Sequence, residues 1–176
     1  TDSEVFRHGI HTLPPIRVKG SPEENYRAVL EKTRELLGSN KFLTFFGGEH
    51  AISIGIIEAF SQQYENLTVL QLDAHADLRK SYMGSEFNHA CAMHRASQTT
   101  NLVQVGIRSM DSCEKEYLKR EQCFFAGEIA GQTSWIQDSI DRMTGDVYLS
   151  IDLDVLDPSI MPATGTPEPG GLDWYT

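Results

Sequence analysis

Short apolar runs rich in β-branched and aromatic residues alternate with helical patterns about every 25 to 35 residues along this chain. The runs are apolar throughout instead of at every second position. That is the pattern of strands covered on both faces, and such strands belong to parallel sheets flanked by helices. An α/β fold with a mainly parallel sheet is therefore the expectation. Strands are predicted at residues 42–46, 67–72, 102–107 and 147–151, with a short one near 123–125. Between them the pattern predicts helices at about 51–64, shortly after residue 88, from about 112, and near 134–143. The best-signalled helix comes before all of these. Ser21 reads as its N-cap, Pro22 as its first turn and Glu24 as the capping-box partner, ahead of Tyr26, Val29, Leu30, Thr33, Leu36 and Leu37 at helical spacing up to Gly38. The 176 residues suffice for one domain, and no internal repeat divides them.

In open parallel sheets ligands sit beyond the carboxyl ends of the strands, and three predicted strand ends run directly into residue types that bind metals. The first gives Gly47-Gly48-Glu49-His50, the second Asp73-Ala74-His75-Ala76-Asp77, and the third Asp152-Leu153-Asp154. With an extended backbone, Asp73, His75 and Asp77 would all point to one side. Four aspartates gathered at strand ends would repel one another and lose hydration unless cations lay among them. With His50 and His75 they make a hard, oxygen-rich donor set without sulfur, which suits Mn²⁺ better than a structural zinc and leaves Zn²⁺, Co²⁺ and Fe²⁺ open. Six side chains are more than one ion needs if water also binds, so two ions with bridging carboxylates fit the count.

Acidic residues outnumber basic ones by 25 to 15, for a net charge of −10, and no Lys/Arg run appears. Nucleic acid and anionic membranes are poor partners for such a chain, whereas a small cation is steered toward it. The longest apolar stretches fall far short of the roughly 18 residues a membrane span needs. Cys91, Cys113 and Cys123 show no CxxC or zinc-ribbon spacing, which is the pattern of incidental thiols in a reducing cytoplasm. The chain opens on Thr1-Asp2-Ser3-Glu4, with no basic leader to read. From residue 152 onward it is a Pro/Gly-rich loop too long to be a mere connection.

The ordered set Gly47-Gly48-Glu49-His50, Asp73-Ala74-His75-Ala76-Asp77 and Ser150-Ile151-Asp152-Leu153-Asp154-Val155-Leu156-Asp157-Pro158 resembles the ureohydrolases, the arginase and agmatinase family. The likeness continues through Gly165-Thr166-Pro167-Glu168-Pro169-Gly170-Gly171, so it covers residues 42–172. It implies a three-layer α/β/α, arginase-like fold and a binuclear manganese site, two Mn²⁺ per subunit, that hydrolyses a guanidino group to urea and an amine. By position it implies one metal on His50, Asp73, Asp77 and Asp152 and the other on His75, Asp73, Asp152 and Asp154, with Asp73 and Asp152 bridging. Glu49 departs from the pattern, which more often has Asp there. His89 falls at the family's proton-shuttling histidine and Glu168 at its guanidinium-binding carboxylate. The resemblance further implies a homo-oligomer, trimer or hexamer. It implies too that residues 1–176 are a single, incomplete catalytic domain lacking layers at both ends, with the Glu168 loop fixed at one end only.

A guanidinium spreads its charge over three nitrogens and resists neutral water, so the site must supply hydroxide. Two divalent ions sharing one water lower its pKa from 15.7 toward about 7. The expected nucleophile is thus a metal-bridging hydroxide, oriented by a hydrogen bond to Asp77. The departing amine needs a proton, the task of His89, and Glu168 pairs with the guanidinium N–H groups. Residues 78–86 are similar to agmatinases reading Asp-Leu-Arg there, not to arginases with neutral polar residues for an amino-acid carboxylate. Agmatine, hydrolysed to putrescine and urea, is the first expectation. Arg79 and Lys80 keep open a guanidino acid such as guanidinobutyrate. From a different class comes a non-catalytic metal-binding homologue acting through a protein interface, although such a scaffold has no use for His89 and Glu168. His94 and Arg95 read as a packing or partner-facing pair, Arg108 as a strand-end salt bridge, and His8 and His11 as surface residues.

Overall fold

The computed structural model describes residues 4–17 and 20–176. The surface reading of His8 lies outside the described side chains, and His11 is exposed as expected. Helix α1 (Pro22–Leu37) starts as its capping signal dictates: the Glu24 N–H donates to the Ser21 hydroxyl at 3.2 Å, and the Ser21 N–H to the Glu24 carboxylate at 2.7 Å. That reciprocal pair satisfies donors that no helical turn can reach. Helix α2 (Ile52–Gln63) packs on α1 almost backbone to backbone at Gly55, where a Cβ would stand 2.9 Å from the Tyr26 carbonyl oxygen. The chain then runs β1 (Leu67–Leu72), α3 (His94–Thr99), β2 (Asn101–Ile107), β3 (Cys123–Phe125), α4 (Ala126–Ile129), α5 (Ser134–Ile140) and β4 (Asp146–Ile151).

The four strands are all parallel, in the order β3-β2-β1-β4. Leu67, Val69 and Leu102 on one face pack against Ile57 of α2 and Met93 and Ala96 of α3, with Phe60 and Tyr148 closing the cluster. From β1 to β3 the chain steps one way across the sheet, and from β3 to β4 it returns past β1. Right-handed crossovers then place α4 and α5 on the opposite face, which gives the three-layer α/β/α order. The same reversal creates a topological switch point between β1 and β4, where open α/β sheets form their ligand crevice.

Three sequence expectations need correction. Residues 42–46 form no strand: they are unpaired among the described residues, and Phe42 and Phe46 are 98% and 95% exposed. β4 is not covered on both faces, since Val147, Leu149 and Ile151 are between 45 and 56% exposed while Tyr148 and Ser150 point to the covered side. Both departures have one cause. Each segment lacks a neighbour among the described residues, residues 42–46 on either side and β4 on the side away from β1, so apolar composition alone produces neither a ladder nor burial. The helix expected from residue 112 shrinks to a single 3₁₀ turn, Ser112–Glu114. The Glu114 carboxylate is buried and takes the N–H groups of Asp111 and Leu78 at 2.6 and 2.7 Å, so it ties this turn to the loop after β1. Among the described residues no helix is long and apolar enough to cross a membrane.

Candidate metal centre

Each strand beside the switch point ends in carboxylates aimed at the crevice. Asp73, the first residue after β1, is buried and faces both imidazoles with separate oxygens. Its Oδ2 lies 3.1 Å from His50 Nδ1 and its Oδ1 3.6 Å from His75 Nδ1. His50 Nδ1 is also 2.8 Å from Asp77 Oδ2 and 3.7 Å from Asp152 Oδ2, and His75 Nδ1 is 3.0 Å from Asp154 Oδ2. Two groups result, His50 with Asp73 and Asp77, and His75 with Asp73 and Asp154, and within each one the donor atoms lie within 4.8 Å of one another. Asp73 is common to both. Asp152 belongs to neither: one of its oxygens accepts the Asp154 N–H at 3.2 Å. The backbone after β1 is not uniformly extended as expected, because Asp77 sits in the left-handed region at φ 54°. Aspartate tolerates that conformation better than most residues, and the turn brings its carboxylate back to His50.

The donor chemistry suits a divalent cation. His50 Nε2 lies 2.9 Å from the Ser150 hydroxyl. With the ring proton on that nitrogen, Nδ1 presents a bare lone pair to carboxylate oxygens, and this buried atom has no aligned hydrogen-bond donor. A lone pair facing anions is repulsive unless a positive charge lies between them. In the metal-free protein protons take that role. Hydrogen bonds to Asp154 and then Asp73 push His75 up to about 10. Burial would lower His50, but Asp73 and Asp77 outweigh it and hold the ring well above its ordinary value. Asp73 moves the other way: burial opposes its ionisation, yet His50 and His75 keep it below the usual carboxylate range. Burial, reinforced by Asp73, pushes Asp77 up to about 6, and burial with Asp73 and Asp154 raises Asp152.

A sign follows for metal loading. At pH 8 both imidazoles are protonated in the metal-free protein and must be neutral to bind, so loading expels about two protons. Affinity should climb with pH toward the His75 value of about 10 and drop steeply below about 6, where Asp77 is protonated as well. Calorimetry in buffers of different ionisation enthalpy counts the protons, and zero release would show the imidazoles already neutral.

At the rim, Glu168 Oε1 stands 3.9 Å from His75 Nε2, which places its carboxylate beside the second group. The expectation that its loop is fixed at one end only is overturned. The Leu172 N–H donates to Val155 O and the Asp157 N–H to Leu172 O, both at 2.9 Å. The Asp157 carboxylate accepts the N–H groups of Gly170 and Gly171 at 2.8 and 3.3 Å, so residues 155–172 form a closed loop. His89 lies outside both groups and is half exposed. Glu49 Oε1 is 3.0 Å from its Nδ1 and from its backbone nitrogen, which holds it next to His50. The residue that departs from the family pattern is therefore the one that seats His89. Arg79 is not free to face a ligand. It pairs with Asp111 at 3.2 Å and lies over the Tyr82 ring, whose edge meets His89.

The chain matches the arginase family over residues 2–176. It belongs to the arginase family. It is 41% identical to the N(1)-aminopropylagmatine ureohydrolase of Synechocystis sp. over 140 residues, which is 77% of this chain and 46% of that protein. It is 35% identical to the enzyme of the same name from Thermus thermophilus over 170 residues, 94% of this chain and 58% of that one. The crystal structure of the agmatine ureohydrolase of Thermoplasma volcanium superposes with a TM-score of 0.76 at 29% identity, covering 88% of this chain and 54% of its own. The chain thus spans about half the length of the relatives it matches.

Three polar residues that support this arginase-family centre went unnoticed in the sequence. Gln71 of β1 stands opposite Gln104 of β2 and Ser150 of β4 in the sheet register. Gln71 Nε2 donates to Asp73 Oδ2 at 2.8 Å and to the His75 carbonyl at 3.1 Å, and Gln104 Nε2 donates to Gln71 Oε1 at 2.6 Å and to Ala76 O at 2.9 Å. With Ser150 against His50, one polar row beneath the strand ends orients donors of both groups, as outer partners of metal ligands do. The signal was there: a lone amide in a run such as Leu-Gln-Leu or Val-Gln-Val must be hydrogen-bonded if the strand is buried. His94 and Arg95 are the packing pair expected, His94 against Tyr117 and Arg95 against Glu58, Tyr26 and Phe87.

Proposed function

We propose that this chain carries the catalytic centre of a ureohydrolase that takes a carboxylate-free guanidino cation, with agmatine as substrate and putrescine and urea as products. The observation that carries the reading is the pair of His/Asp groups sharing Asp73 with the Glu168 carboxylate beside them, 3.9 Å from His75. His50, Asp73 and Asp77 would hold one ion and Asp73, His75 and Asp154 the other, with Asp152 adding a carboxylate between the strands. Bound there, two divalent ions, for which Mn²⁺ best suits the donor set, supply water acidic enough to attack a guanidinium.

The chain's own groups do the rest. Glu168 accepts two guanidinium N–H bonds and fixes the plane of the central carbon. Asp77 accepts a hydrogen bond from the attacking water and sets its direction. As the carbon–nitrogen bond breaks, His89 gives a proton to the departing amine, which would otherwise leave as an impossible anion. The water oxygen ends in urea. Three free thiols, two of them buried, suit a reducing cytoplasm. The uncovered edge of β4 and the unpaired residues 42–46 support the reading that the catalytic domain extends beyond these 176 residues.

A second reading is N(1)-aminopropylagmatine, the substrate in the names of two relatives at 41% and 35% identity. It too lacks a carboxylate, so the centre described above serves both. Guanidinobutyrate is less suited, because the cation that would receive its carboxylate, Arg79, is already engaged by Asp111. In the full-length protein loaded with Mn²⁺, His89→Ala should retain its metal and lose at least about two orders of magnitude in kcat, with partial recovery on adding imidazole. Elemental analysis alongside urea release checks this, and loss of metal would instead mark His89 as a ligand.

A further inference from the structure

Arg108 is the rim residue for which the reaction above has no use. It follows β2, is half-buried, and makes no ion pair among the described residues, contrary to the salt bridge expected of it. Its guanidinium lies instead among backbone carbonyls of two loops. Nη2 donates to Asp154 O at 2.6 Å, beside a donor of the second group. The same nitrogen donates to Glu168 O at 2.7 Å, while Nε reaches Glu168 O at 3.2 Å and Pro169 O at 3.1 Å. Nη1 turns back to Gly106 O at 3.1 Å and anchors the fork to the end of β2. A rigid planar fork with five N–H groups can serve three backbone segments at once, whereas an ammonium with three donors and no fixed plane cannot.

We propose that Arg108 is a positioning residue that fastens the Asp154 loop to the Glu168 loop and so sets the gap between the cation-binding groups and the carboxylate that receives the guanidinium. The kinetic consequence rests on the role proposed for Glu168; the clamp itself does not.

The test uses the full-length, Mn²⁺-loaded protein with Arg108→Lys, Glu168→Gln and the double variant. Arg108→Lys should keep its metal and raise KM for agmatine at least about tenfold, with a smaller change in kcat. In the Glu168→Gln background the same change should alter KM by less than about threefold, because no carboxylate remains to be positioned. Equal effects in both backgrounds would mean a merely structural role and overturn the proposal. A second arm needs no turnover. Hydrogen exchange at the amides of residues 168–172 should speed up at least about tenfold in Arg108→Lys while β1 and β2 stay protected. Unchanged exchange overturns the clamp whatever the substrate. Arg108→Gln is carried in parallel, so that a lysine variant that does not fold leaves the same two readouts in hand. A wild-type protein that releases no urea from any guanidino compound sinks the ureohydrolase reading, and the exchange arm then decides Arg108 by itself.

Discussion

Asp73→Asn should reduce urea release to background, a loss of at least about three orders of magnitude, and leave the full-length protein close to metal-free. No other side chain faces both imidazoles, one oxygen toward His50 and the other toward His75. An amide keeps the volume but brings no charge, and it offers its nitrogen where one of the two groups needs an oxygen. The substitution also disturbs the support behind the site, since the Gln71 amide loses a carboxylate acceptor at 2.8 Å and the His75 N–H one at 2.7 Å. Asp152→Asn should be milder in metal loss, because Asp152 lies outside both donor groups and nearest only to His50, at 3.7 Å. Elemental analysis ranks the two variants. Equal retention of two metal equivalents in Asp73→Asn would end the claim that this carboxylate is shared.

The second large effect concerns substrate charge. Agmatine, and N(1)-aminopropylagmatine with it, should exceed arginine in kcat/KM by at least about two orders of magnitude, about 2.7 kcal/mol at the transition state. Four aspartates and Glu168 converge on the crevice, and the nearest candidate cation of the loop after β1 is paired with Asp111 and stacked on Tyr82. An unpaired carboxylate brought among them loses hydration and meets only negative charge. Urea release from the two amines, guanidinobutyrate and arginine, measured side by side, tests the ranking. A preference for guanidinobutyrate would mean that Arg79 leaves Asp111 for the substrate, and a preference for arginine would overturn the reading of residues 78–86.

The positions of β1, β2, β3 and β4 were legible to within a residue, because buried parallel strands are written as unbroken apolar runs bounded by polar residues. The donors were legible for the same reason: in such a sheet, whatever follows each strand meets at the carboxyl edge, so Asp73, Asp77, Asp154, His50 and His75 could be gathered from sequence alone. What composition cannot encode is a neighbour. Phe42 and Phe46 look like strand residues and are exposed because nothing pairs with them among the described residues. Ser112 looks like a helix start, but Glu114 has a partner 36 positions earlier at Leu78. Gln71, Gln104, Glu49 and Arg108 share this property, since each acts through a partner that only the folded register brings within 3 Å or so.

The crevice lies on a seam. β4 is held to the sheet by β1 alone, and its other edge and one of its faces are open. Across that seam Asp154 Oδ1 accepts the Ala74 N–H at 3.1 Å, and Asp154 shares a donor group with Asp73 and His75 from the far side. A cation gripped by that group would act as a rivet between the two halves of the sheet, since pulling β4 away would tear coordination bonds as well as a hydrogen-bond ladder. Catalytic readiness and mechanical cohesion would then rise and fall together. The strand carrying Asp152 and Asp154 would be the first part of the sheet to breathe when the rivet is drawn.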